Sequence, residues 1–409
     1  MQGYKESNSR WEVNFKMSAL SIIRIRNGAI SSATAALLLA ACGASSVATT
    51  TTTSQSSSST NVVGNFKALV ASVAKDEAVP VFTPPGPAIN ITSLKGKSVF
   101  VIPQAPNPFV QGITDSMQRI AKRTGINLIV YPNQGLASQW VQGMQTAIAE
   151  KVNLIVLSAA PDPRELQPQL AAAKAAGIPV LVTHFYDDSS PLPPKCEACA
   201  AGVSAIVPAP FNRAGLDEAN WIITHTAGHA HVLIIGATED IVTNGIVTTM
   251  QTQYHNECAT TCSTQVVEIP PSEWGTKVEP EVAAALTADP SINVVDCLFD
   301  AQVPGAVQAI KTLGKKVPVV SFNGSTSALT YIQNHDIAAM DVGESVDWIG
   351  YAAFDQAFRL MLGLPPGTDK LPLRIWDATN ITAAGNPPNL LDGYGNGYVS
   401  GFEKLWGIG

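Results

Sequence analysis

The chain has 409 residues, of which only 14% are charged, and a formal net charge of −7. Residues 1–41 hold five basic and two acidic side chains, so the remainder carries −10. An acidic chain without basic clusters argues against nucleic acid and anionic lipid headgroups as partners. The sequence contains no G-x-S-x-G, P-loop, H-E-x-x-H or G-x-G-x-x-G motif, which weakens the case for an enzyme.

In chain order, the first feature is an export-signal layout. Arg24 and Arg26 precede an apolar stretch, residues 33–41, that is too short to span a bilayer. Leu39-Ala40-Ala41-Cys42 resembles the lipobox of bacterial lipoproteins. The resemblance implies that Cys42 is lipidated and becomes the new N-terminus, which places the body outside the cytoplasm. An ordinary cleaved signal with a chance cysteine is the alternative. Residues 1–16 are polar and ill suited to a signal, which leaves Met1 and Met17 both open as the start. Residues 42–62 are dominated by Gly, Ala, Ser and Thr and read as a tether, because such a stretch buries too little apolar surface to offset its ordering entropy.

From Lys95 onward, Val- and Ile-rich runs alternate with amphipathic segments. The pattern predicts strands at 98–102, 127–131, 153–157, 179–183, 203–207, 231–235, 265–269, 293–298, 317–322 and 337–342. Helices are predicted between them, at 109–124, 136–150, 164–176, 212–227, 241–256, 302–313 and 347–363. Gly125, Gly177, Gly228 and Gly314 stand where helix C-caps belong. Continuous apolar strands alternating with helices mean an α/β body of doubly wound parallel sheets. The ten strands divide into two sheets, with the break in the Pro-, Asp- and Ser-rich loop near 184–210. Ligands of such sheets bind beyond the carboxyl ends of the strands, so the residues after each strand are the ones to inspect.

Cys196 and Cys199 form C-x-x-C, and Cys258 and Cys262 form C-x-x-x-C. Two local disulfides are the first reading for an oxidising compartment, with a joint zinc site as the alternative. Cys297, in VVDCLF, reads as a small buried apolar residue. His225, His229 and His231 invite a metal reading, but Gly228 separates the first two by a helix end, and no metal or cofactor is expected.

The order of the motifs resembles the ribose-type periplasmic sugar-binding proteins, receptors of ABC importers, over roughly residues 96–363. The matching stretches are Asn107-Pro108-Phe109, AAKAAGIPV, Asp300 with Gly305-Ala306, Ser321-Phe322-Asn323-Gly324, and Gly343-Glu344 before Asp347-Trp348-Ile349-Gly350. The resemblance implies two lobes joined by three crossings that close on a ligand. Lobe 1 would comprise 96–206 plus 345–375, lobe 2 would comprise 207–344 plus 376–409, and the crossings would lie near 206–209, 343–346 and 375–380.

The same resemblance nominates the ligand-binding residues. Phe109 matches a stacking position, and Asn107, Asp300, Asn323 and Glu344 match hydrogen-bonding positions. His184 and Phe185 stand where the family commonly has Asp-Arg, and the stretch 240–244, with Asn244, lacks a further usual Arg. Without these guanidinium forks the implied ligand is a small neutral sugar or polyol other than ribose. Tyr186 and Trp274 are weaker candidates. The implied partners are ABC permease subunits, with the membrane reached through the lipid anchor. A receptor signalling to a sensor kinase and an extracytoplasmic hydrolase are the alternatives. A cytoplasmic repressor is disfavoured by the N-terminal signal.

Overall fold

The computed structural model describes residues 58–409 except 160, 198, 238–240 and 409, with side chains from Asn65 onward. The export signal, Cys42 and tether residues 42–57 lie outside the described residues. The compact unit is Ser56–Gly409. Its first helix, α1 (Ser58–Asp76), takes in residues 58–62 that the composition assigned to the tether.

The first sheet is five-stranded and parallel: β1 (Ser98–Pro103), β2 (Asn127–Val130), β3 (Leu154–Ser158), β4 (Val180–Asp187) and β5 (Ala205–Ala209). Their order is β2-β1-β3-β4-β5. Every residue of β3 and β5 is buried, as expected for a sheet covered on both faces. The covering helices are α2 (Pro108–Thr124), α3 (Ala137–Ala149) and α4 (Gln167–Ala175). Local signals set the ends of α2: the Asn107 side chain accepts from Val110 N at 3.0 Å, Pro108 opens the first turn, and Gly125 closes the helix at φ 74°.

The second sheet contains β6 (His231–Gly236), β7 (Ser263–Glu268), β8 (Val294–Cys297), β9 (Val319–Asn323), β10 (Ala338–Glu344) and β11 (Leu373–Asp377). The order is β11-β10-β9-β8-β6-β7, and only β11 runs antiparallel to its neighbour. The helices of this part are α5 (Phe211–His225), α6 (Thr243–Cys258), α7 (Trp274–Ala288), α8 (Val303–Thr312) and α9 (Thr326–Gln333). All ten predicted strands form, so the α/β architecture with two parallel-dominated sheets follows from the hydrophobic runs. β11 is the addition. Its Arg374 lies over the Trp376 ring at 4.2 Å, and Trp376 packs so close to Gly343 that a Cβ there would stand 2.5 Å from the indole nitrogen.

The chain passes from the first sheet to the second after β5. It returns after β10 with α10 (Val346–Met361), which packs on α2, β4 and β5, and passes over again between α10 and β11. The third crossing therefore lies within 362–372, not 375–380, because β11 itself belongs to the second sheet. α11 (Gly397–Trp406) departs from the expected second lobe as well. Its Tyr398, Phe402 and Trp406 pack on Trp348, Tyr351 and Phe358 of α10, and its Glu403 pairs with Arg123 of α2 at 2.5 Å. Phe82, from the arm between α1 and β1, joins this aromatic cluster against Phe402 and Trp348.

Disulfides join Cys196 to Cys199 and Cys258 to Cys262. Cys297 is buried in β8, and burial pushes its thiol up. His225 stacks on Trp221 at 3.6 Å, and the His231 ring meets Ser263 Oγ at 2.8 Å. No described helix is long and apolar enough to cross a membrane.

Candidate ligand-binding cleft

The carboxyl ends of both sheets face a cleft of about 1190 Å³. Six of the eight nominated residues border it: Asn107, Phe109, His184, Phe185, Asp300 and Asn323. Asn107, Phe109, Asp300 and Asn323 follow or end strands, where the chain leaves the sheet, whereas His184 and Phe185 lie within β4.

Three non-glycine residues at this surface have strained backbones. Ala159 after β3, His184 in β4 and Asn323 at the end of β9 all have positive φ, at 53°, 52° and 130°. Non-glycine residues avoid this region unless their surroundings hold them there, and such strain gathers at functional sites. At His184 the strain coincides with a register break between Thr183 and Asp187, where β4 loses its pairing with β5. The left-handed turn sets the imidazole between Phe109 and Phe211, each centred 5.0 Å away.

An aromatic row runs from the first sheet to the second. After Phe109, His184 and Phe211 come Phe322 at 6.0 Å from Phe211, Phe299 at 6.4 Å from Phe322, and Trp274 stacked at 5.7 Å on Phe299. All but Phe322 line the cleft. The Trp274 indole N–H is held by Ile269 O at 3.0 Å, and that of Trp140 by Gln104 O at 3.0 Å. Both rings are thus fixed at their polar edge, which leaves their faces for packing.

The polar groups have defined partners. Asn107 spends its side-chain oxygen on the cap of α2. Asp300 does not cap the helix that follows it. Its Oδ2 accepts from Ser325 N at 2.5 Å, and Ser325 Oγ in turn accepts from Ala328 N at the start of α9. Behind Asp300 lie the buried carboxyls of Asp341, Asp296 and Glu218. Burial pushes all four upward, and contacts with Asp341, Ser321 and Ser325 pull Asp300 part of the way back.

Two nominated residues do not border the cleft. Glu344 is buried behind His184, with Oε2 2.6 Å from Nε2, and so links the end of β10 to β4. It supports the imidazole from below instead of standing at a rim. Asn244 is exposed on α6. Thr243 beside it turns inward to donate to Ala237 O at 3.0 Å, which directs Asn244 away. Phe185 borders the cleft, with the Arg164 guanidinium 5.8 Å from its ring centre, while Tyr186 is buried and accepts from Ala200 N at 3.2 Å.

Sequence reasoning missed Trp140, Phe211, Phe299 and Tyr331. The rule of inspecting residues just after strands reaches Phe211 and Phe299, which follow β5 and β8. Trp140 and Tyr331 sit inside helices and carry no such signal.

Residues 98–365 match the family described as periplasmic binding protein domain. The D-apiose import binding protein of Paraburkholderia graminis is 27% identical over 241 residues, covering 58% of this chain and 73% of that protein. The ribose import binding protein RbsB of Bacillus subtilis is 23% identical over 258 residues, covering 63% and 79%. A carbohydrate transporter from Acidothermus cellulolyticus, in complex with myo-inositol, shares the fold with a TM-score of 0.57 at 20% identity, covering 71% of this chain and 97% of that one.

Proposed function

The chain belongs to the periplasmic binding protein family, and on that premise we propose that it is a lipid-anchored receptor that captures a sugar or sugar-like molecule between two lobes and delivers it to an ABC importer. The family binds solutes outside the cytoplasm without turning them over. The observation that carries the ligand class is the cleft surface: a row of rings beside Asn107, Asp300 and Asn323. A sugar presents C–H faces for the rings and hydroxyls for the acceptors and donors. The curated relatives, named for apiose and ribose import, support the same class. The lipobox-like stretch at Cys42 supports the anchor. Closure of the two lobes would bring Asn107 and Phe109 on one side toward Asp300 and Asn323 on the other.

Thermal unfolding of residues 56–409 against pentoses, hexoses, polyols, cyclitols, amino acids and nucleosides tests this reading. A ligand of the folded state adds about 2.7 kcal/mol at a hundredfold excess over Kd, so a sugar or polyol raises the midpoint. A rise with amino acids or nucleosides alone overturns the sugar class.

A further inference from the structure

We propose that the cleft takes a ligand carrying an ammonium group on a sugar-like or cyclitol frame, in preference to its neutral counterpart, and rejects the carboxylate counterpart. The proposal rests on the reading above and refines its ligand class.

The charges on the cleft surface are one-sided. Among the described residues no Lys or Arg lines it, and its carboxyls are Asp300 and Asp336. Asp336 is matched by Lys311 at 2.6 Å. Asp300 is 4% exposed, and among the described residues no Lys or Arg pairs with it or with Asp341, Asp296 or Glu218 behind it. Ser321 Oγ donates to Asp341 Oδ2 at 3.0 Å, and both Glu218 and Asp296 carboxyls lack hydrogen-bond partners among the described residues. A buried carboxylate without a cation is costly, so burial favours its protonated form, and a ligand cation beside Asp300 offsets the cost of ionising it.

Two helix starts at the cleft, α2 and α9, already have side chains in place of an anion. Their free N–H groups would attract one. Yet Val110 N at α2 is taken by Asn107, and Ala328 N at α9 by Ser325. Ser325 N is taken by Asp300 itself. Asn107, Ser325 and Asp300 thus already occupy three of the N–H groups that a ligand carboxylate could use at α2 and α9. The rings contribute in the same sense. Phe299 lies two residues beyond β8 and adjoins Asp300, Trp274 stacks on it, and aromatic faces attract ammonium groups.

Titration calorimetry with three matched sets tests the preference: neutral hexoses and cyclitols, their amino-substituted counterparts, and their uronic or carboxylic counterparts. The expected result is binding by an amino compound at least tenfold tighter than its neutral counterpart, with no heat from the acid. D300N should reduce that ratio to about one, whatever it does to the neutral compound. Since Asp300 also holds Ser325, W274L provides a second variant, expected to lower the ratio without disturbing α9. A neutral compound that binds as tightly as its amino counterpart, or an acid that binds best, overturns the ammonium proposal and leaves the sugar reading intact. Silence from all three sets overturns the sugar reading and the proposal together.

Discussion

The two halves of the molecule bury charge in opposite ways. Under the first sheet, Asp355 and Arg359 of α10 form a buried pair at 2.7 Å, and Trp406 Nε1 donates to Asp355 at 2.9 Å. Under the second, Glu218, Asp296, Asp300 and Asp341 are buried with no Lys or Arg paired to them among the described residues, and Asp217 of α5 is buried beside Asp76 with Arg213 and Lys75 close by. The first arrangement holds α10 and α11 together. The second leaves carboxyls poised by burial behind the wall of a cleft. A charge that is paired serves the fold, whereas a charge that is left to be matched can serve a ligand.

Breaking the pair should have the largest effect. R359M strands Asp355 in an apolar setting and is expected to cost about 3–5 kcal/mol in denaturant unfolding. If the loss is below 1 kcal/mol, the pair is not what fastens this half.

The second half predicts an unusual pH response. Burial, with the Asp76 carboxyl close by, pushes Asp217 up to about 7. A raised carboxyl binds its proton more tightly in the folded state, so its contribution is complete below the unfolded value near 4 and is lost as pH rises through about 7. Unfolding free energy should therefore fall by up to about 4 kcal/mol between pH 4 and pH 8. D217N should flatten that slope. A stability that climbs over this interval contradicts the account.

The link between the halves is next in size. E344A removes the group 2.6 Å from His184 Nε2 and should cost about 1–3 kcal/mol while weakening ligand binding through the displaced imidazole. Equal loss of stability with unchanged affinity would assign Glu344 to the fold alone. The smallest effect belongs to N107A, expected at about 1 kcal/mol for the lost cap of α2, read from the thermal midpoint.

Legibility in the sequence followed the same physics. Buried parallel strands are nearly all apolar, so runs such as LIVLS and VLVT announced themselves. β11 did not, because Arg374 and Asp377 interrupt it and its partner strand is antiparallel. α1 was hidden by its Ser- and Thr-rich start. α11 packs on α10 of the first half, and no local signal says which half an aromatic face will join. The places of Phe109, Asp300 and Asn323 on the cleft wall were legible through the family resemblance and their position after strands. The inward turn of Thr243, which sends Asn244 outward, and the burial of Glu344 behind His184 depend on contacts distant in sequence. Trp140 and Tyr331 needed the helices to be packed before their place at the cleft wall could be seen.

The most direct test is a crystal structure of residues 56–409 with the ligand that the matched sets identify. The account predicts one molecule gripped from both sides, its face on Phe109 and its polar groups on Asp300 and Asn323. A ligand held by one half only, or bound away from these residues, would contradict it.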